Sequence, residues 1–153
     1  MSAPTASQHP AARLVGTVLD EYEMVIERGK IAEFARATGS RSPEYFGDDA
    51  PIPPTFLVTS SFWAPEGDDA LVQRLGLDLP RVLHGGQEFS FPGRLPRAGD
   101  RLTVRLTVES VTEKAGRRGG NMTFIVLLTR YLAPDGVVVA ESRATTIERG
   151  AAS

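Results

Sequence analysis

An α+β domain, helices first and an antiparallel sheet second, is predicted by three features of the sequence. The hydrophobic period changes from helical to strand-like after Arg81. Residues 53–63 are apolar on nearly every side and demand burial. A Pro-Asp-Gly turn at 134–136 joins two strand-like segments. At 153 residues the chain fits a single domain, which buries roughly two thirds of its unfolded surface without disulfides or metals.

The first segment, "MSAPTASQHPAA", has neither a basic stretch nor a hydrophobic core. It reads as a disordered tail over 1–12, with the domain spanning 13–149 and His9 in the tail without a role. After a short extended segment, Ile31, Phe34, Ala35 and Thr38 recur at helical spacing, and Gly39 suits the position that ends a helix. In "APIPPTFLVTSSFW", Pro53 and Pro54 mark a helix start, and Phe56, Leu57, Val58, Phe62 and Trp63 follow as core. "DDALVQRLG" predicts a shorter helix, capped by Asp68 or Asp69 and stopped near Gly76.

Strands follow, four of them in a meander. Leu102, Val104, Leu106 and Val108 alternate with Arg101, Thr103, Arg105 and Thr107, the signature of a half-buried antiparallel strand. "MTFIVLLTRYL" is apolar on both faces and suits a central strand, while "KAGRRGGN" and "PRAGD" read as the loop and tight turn between strands. The sheet so formed has one apolar helix to wrap.

Composition excludes several function classes. There is no cysteine, so disulfides, zinc-thiolate sites and cysteine nucleophiles are ruled out, and an intracellular, cytoplasmic protein is expected. Basic and acidic residues, 17 against 19, are scattered, so nucleic acid is not an expected partner. Apolar runs such as "FIVLL" are too short to cross a bilayer. Glu44, Asp48 and Asp49 have no histidine beside them, so no metal site is expected.

"FARATGSRSPEY", "APIPPTF" and "VLHGGQEFSFPGRLPRAGDRL" together resemble the MaoC-like dehydratase/hydratase superfamily. The likeness is to the N-terminal-type, non-catalytic half of (R)-specific 2-enoyl-CoA hydratases and to the small subunits of heteromeric (3R)-hydroxyacyl-ACP dehydratases, and it spans about residues 14–149. It implies a hot-dog fold, a curled antiparallel sheet around a long buried helix. Catalytic members carry Gly-Asp-x-Asn-Pro-x-His, whose Asp and His activate the water that adds to the conjugated double bond. Here the matching stretch is "GSRSPEY": Gly39 and Pro43 agree, but Ser40 stands for the Asp, Ser42 for the Asn and Tyr45 for the His. A serine without an activating partner is no base, and tyrosine titrates near pH 10.

His84 is the remaining candidate for chemistry. Paired with Gln87 or Glu88 it would make an acid/base couple, but strand positions four apart are separated by roughly 13 Å. The alternative is a buried, hydrogen-bonded His84 at a strand entrance, with Gly85 and Gly86 letting the backbone pass a helix or acyl chain closely. The resemblance implies that Tyr45, Pro54, Thr55, Phe56, His84, Gly85 and Gly86 line the substrate. Arg94, Arg97, Arg117 and Arg118 lie in loops, as a solvated surface or as contacts to the phosphates of CoA or phosphopantetheine. No catalytic residue, metal or separate cofactor is expected, the CoA or phosphopantetheine being part of the substrate.

The function implied is an acyl-binding, non-catalytic subunit of a heteromeric enoyl-thioester hydratase or dehydratase, binding acyl-CoA or acyl-ACP beside a catalytic hot-dog partner. The rivals are a homodimeric acyl-thioester binding protein and a hot-dog thioesterase using Glu44, Asp48 or Asp49.

Overall fold

The computed structural model describes residues 7–116 and 120–150. Five antiparallel strands form one curled sheet: β1 (Val18–Val25), β2 (Val82–Ser90), β3 (Arg101–Ala115), β4 (Asn121–Leu132) and β5 (Val138–Arg149). Their spatial order is β1-β3-β4-β5-β2. The helices α1 (Arg28–Ala37) and α2 (Gly67–Leu75) and a 3-10 segment, Phe56–Trp63, precede the sheet's last four strands in sequence. No helix among the described residues is long and apolar enough to cross a membrane. This is the α+β hot-dog architecture that the sequence predicts.

Local chemistry explains the elements. α2 stops at Gly76, whose φ of 66° is a left-handed conformation that costs a Cβ-bearing residue. The β4–β5 turn closes with Ala133 N–H donating to Val137 O and Gly136 N–H to Ala133 O. Asp100 accepts the Arg97 N–H at 2.8 Å and sets the turn into β3. β4 is the central strand and its inward apolar residues, Ile125, Leu127 and Tyr131, are buried.

The register sorts the sheet into two faces. Tyr22, Val104, Tyr131 and Ala140 lie side by side on the concave face, as do Leu106, Thr129 and Ser142 one step along. On the other face Glu21, Arg105, Arg130 and Glu141 form a row, with Arg105 paired to Glu21 at 2.6 Å and Arg130 to Glu141 at 2.9 Å. The apolar face must be covered, and it is. Ile31 of α1, Phe56 and Leu57 of the 3-10 segment, and Met24, Leu102, Val104 and Tyr131 of the sheet form one core cluster. Leu19, Leu75, Val108, Ile125 and Leu127 form a second around α2.

Four expectations are corrected. The run after Pro53 is an eight-residue 3-10 segment, not a long helix, and it is not buried all round: Val58 is 56 % and Phe62 78 % exposed. A run that is apolar on nearly every side carries little periodic signal, so burial could not be assigned to one face from sequence. The N-cap of α2 is Glu66 rather than Asp68 or Asp69, and its side chain makes no capping bond. β2 does not join the meander; it crosses to the far side of β5, while β1 takes the place beside β3. The N-terminal segment is packed from Ser7 onward: Ser7 Oγ donates to Glu113 at 2.6 Å, and Ala11 is fully buried. His9 caps the 3-10 turn Pro10–Leu14 through Nδ1, which accepts the Ala11 N–H at 3.1 Å, so its other nitrogen, 2.7 Å from Glu148 Oε2, carries the proton.

Candidate acyl-binding site

Between the concave face of the sheet and the 3-10 segment lies a cavity of about 160 Å³. Leu57, Val58, Leu71, Leu106, Leu127 and Ala144 make its apolar walls. Asp20, Arg74 and Gln87 bring charge and polarity to its lining, with Arg74 also bonded to Leu19 O and placed 3.8 Å from Glu66. Ser60, Tyr131 and Ser142 supply a buried polar patch.

Tyr131 organises that patch. Its hydroxyl donates to Leu57 O at 3.1 Å and lies 3.0 Å from Ser60 Oγ, and Tyr22 donates to Ser60 O at 2.9 Å, so the sheet holds the 3-10 segment at two points. Burial pushes the Tyr131 phenol above its ordinary value, only partly offset by its bonds to Ser60 and Ser142. It is therefore a neutral hydrogen-bonding group and not a base at neutral pH.

The residues singled out by sequence fall elsewhere. Ser40 follows Gly39 at the end of α1, with its N–H bonded to Ala35 O at 2.8 Å. Tyr45 sits in the 3-10 turn Pro43–Phe46, half-buried against the core. Pro54 and Thr55 are exposed and Phe56 is fully buried in the core. None of these lines the cavity. Arg94 makes a two-pronged pair with Asp100 at 2.7 and 2.8 Å, and Arg97 binds Asp49 Oδ2 at 2.9 Å, so both are engaged in bracing the β3 turn. The Arg94 guanidinium holds the Asp100 carboxyl below its usual range, against the opposing effect of burial. Arg117 and Arg118 lie outside the described residues. Among the described residues no group of His, Asp and Glu is placed to hold a metal.

His84 is exposed, and among the described residues its side chain has no hydrogen-bond partner, while its backbone lies in the β2–β5 ladder. The expected buried, bonded histidine is thus corrected. A β-bulge sets its face: His84 pairs with Thr146 and Gly86 with Thr145, leaving Gly85 as the extra residue. Counting through the bulge, His84, Gln87 and Phe89 oppose Thr146, Ala144 and Ser142 and share the concave face, whereas Glu88 opposes Arg143 on the other. His84 and Glu88 therefore point to opposite sides of the sheet, a stronger bar to pairing than distance alone.

The close approach expected at the two glycines is made by Gly85, toward β5 rather than a helix, while Gly86 has open space around it. A Cβ on Gly85 would lie 2.8 Å from Ile147 Cδ1 and Cγ1 and 3.1 Å from Thr145 Cγ2. Gly85→Ala should cost about 1–3 kcal/mol. Adding Ile147→Ala should recover part of the loss, a coupling that thermal unfolding of the single and double variants measures.

The cavity residues that sequence reasoning missed include Asp20, Ser60, Arg74, Thr129, Tyr131 and Ser142. The only available signal was alternation, which places Leu127, Thr129 and Tyr131 on one face without revealing which face is concave.

Comparison with known proteins agrees with this architecture. Residues 13–142 match the family model described as FAS1-like, dehydratase domain region. The UPF0336 protein of Streptomyces avermitilis is 42 % identical over 106 residues, 63 % of this chain and 68 % of that protein. That of Saccharopolyspora erythraea is 35 % identical over 138 residues, 83 % of each. The chain spans about two thirds of the length of the Streptomyces relatives it matches. Among solved structures, a chain of the truncated HadBC (3R-hydroxyacyl-ACP dehydratase) complex of Mycobacterium tuberculosis superposes with a TM-score of 0.71 at 22 % identity, covering 88 % of this chain and 96 % of that one. A chain of the ChsH1-ChsH2 complex of the same organism gives 0.67 at 16 %, covering 94 % and 92 %. The chain belongs to the FAS1-like dehydratase domain family and has the hot-dog fold of the MaoC-like dehydratases.

Proposed function

We propose that this protein is the acyl-binding, non-catalytic subunit of a heteromeric (R)-specific enoyl-thioester hydratase or (3R)-hydroxyacyl-thioester dehydratase. The observation that carries the reading is the separation of cavity from chemistry: an acyl-sized cavity opens on the concave face, while Ser40 and Tyr45 occupy the places of the water-activating Asp and His. The thioester arrives on CoA or on the phosphopantetheine of a carrier protein. A second hot-dog chain supplies the Asp/His pair, and this one holds and orients the acyl group, which lowers the entropic part of the barrier.

Two further observations support a partner. β2 is an edge strand whose outer backbone groups are unpaired within the sheet, and it carries Leu83 at 48 % exposure, the kind of edge that another strand completes. The related folds from Mycobacterium tuberculosis occur in complexes of two differently named chains. A thioesterase finds less support, since Glu44, Asp48 and Asp49 are exposed and stand outside the cavity. Co-expression with a hot-dog protein bearing an intact Gly-Asp-x-Asn-Pro-x-His should give a stable hetero-oligomer that hydrates enoyl-CoA. Light scattering that finds only homodimers, with no turnover in the mixture, would favour a plain acyl-thioester binding protein.

A further inference from the structure

The polar patch of the cavity has a direction. A carbonyl only accepts, so the Tyr131 proton goes to Leu57 O, and Ser60 must donate in its 3.0 Å contact with the same phenol. Ser142, opposite Thr129 in the row beside Tyr131, brings a second hydroxyl to the same wall of the cavity. Ser60 has committed its only proton and keeps an acceptor lone pair, and no described N–H or O–H donates to it. Ser60 and Ser142 are 9 % and 6 % exposed, and both line the cavity. A buried acceptor left without a donor is costly, so this patch favours a ligand that brings a hydroxyl over a plain hydrocarbon.

Size narrows the class further. A cavity of about 150 Å³ accommodates benzene, and this one is about 160 Å³, room for roughly six non-hydrogen atoms. We infer that the cavity selects a short acyl tail bearing a hydroxyl group, which donates to Ser60 and accepts from Ser142. This hydroxyl is separate from the one at carbon 3, which the dehydration itself removes at the partner's Asp/His pair. The inference rests on the acyl-binding reading above.

The test compares dissociation constants of the full chain for hexanoyl-CoA and octanoyl-CoA with those for 6-hydroxyhexanoyl-CoA and 8-hydroxyoctanoyl-CoA. At one of the two lengths the hydroxylated ligand should bind about tenfold more tightly, the value of one well-formed hydrogen bond. Ser142→Ala and Ser60→Ala should each remove most of that preference. Saturated tails binding as tightly as hydroxylated ones at both lengths would overturn the inference and leave the acyl-binding reading standing. Failure of all four ligands to bind would overturn both.

Discussion

Phe56→Ala should lower the free energy of unfolding by about 3–5 kcal/mol, the cost of emptying a large aromatic site in a packed core. Phe56 is completely buried, and its ring meets Phe34 of α1 edge-on at 5.5 Å and 81°. It thus joins α1 to the 3-10 segment, and that segment supplies Leu57, Val58, Ser60 and Ser61 to the cavity. Stability and ligand binding should fall together. Urea unfolding checks the first, as a drop in midpoint with the slope unchanged. A loss under about 1.5 kcal/mol would mean that neighbouring side chains close the gap, the response of a poorly packed site.

Glu148→Ala should have the next largest effect on stability, about 3 kcal/mol, because it leaves three part-buried donors without their acceptor. The Glu148 carboxylate is 5 % exposed and accepts from His9 Nε2 at 2.7 Å, the Asp78 N–H at 2.8 Å and Arg81 Nη2 at 3.2 Å. It ties the N-terminal turn and the loop before β2 to the last strand. Burial alone would raise its pKa, but the Asp78 N–H, His9 and Arg81 outweigh burial and hold it below its ordinary value. Its contribution is therefore fully present above the unfolded value of about 4.3 and is lost as pH falls through the depressed folded value. Glu148→Gln should flatten that acid limb. Denaturant titrations between pH 3 and 7 compare the two proteins directly.

Local features of the sequence were legible, and long-range ones were not. The β3–β4–β5 meander follows from the alternation around Leu102–Val108 and the Pro-Asp-Gly turn, both of which act over a few residues. The missing Asp/His pair was also readable, because the family motif is contiguous and "GSRSPEY" departs from it at the residues that would do the chemistry. The placement of β2 was not, since it pairs with β5 and skips the strand next in sequence. Nor was the bulge at Gly85. Two adjacent glycines permit many backbone paths, and only the pairing with Thr145 and Thr146 shows that the face of His84 is switched. The His9–Glu148 bond spans 139 residues and leaves no local trace, which is why His9 read as a tail residue. The cavity belongs to the same class: its polar patch joins side chains from the 3-10 segment, β4 and β5 that no motif connects.

This division bears on function. What supports the proposed non-catalytic role is a local motif, and what supports the proposed binding role is a tertiary cavity, with His84 on the same face of the sheet but outside the lining. The chain is expected to hold an acyl group without hydrating it. The measurement is turnover of crotonyl-CoA and longer enoyl-CoA thioesters by the purified chain alone, then with an equimolar hot-dog partner carrying Gly-Asp-x-Asn-Pro-x-His. The chain alone should show background rates, and the mixture an increase of at least about 100-fold, the lower range of positioned acid/base catalysis. Robust hydration by the chain alone, abolished by His84→Ala, would contradict this expectation.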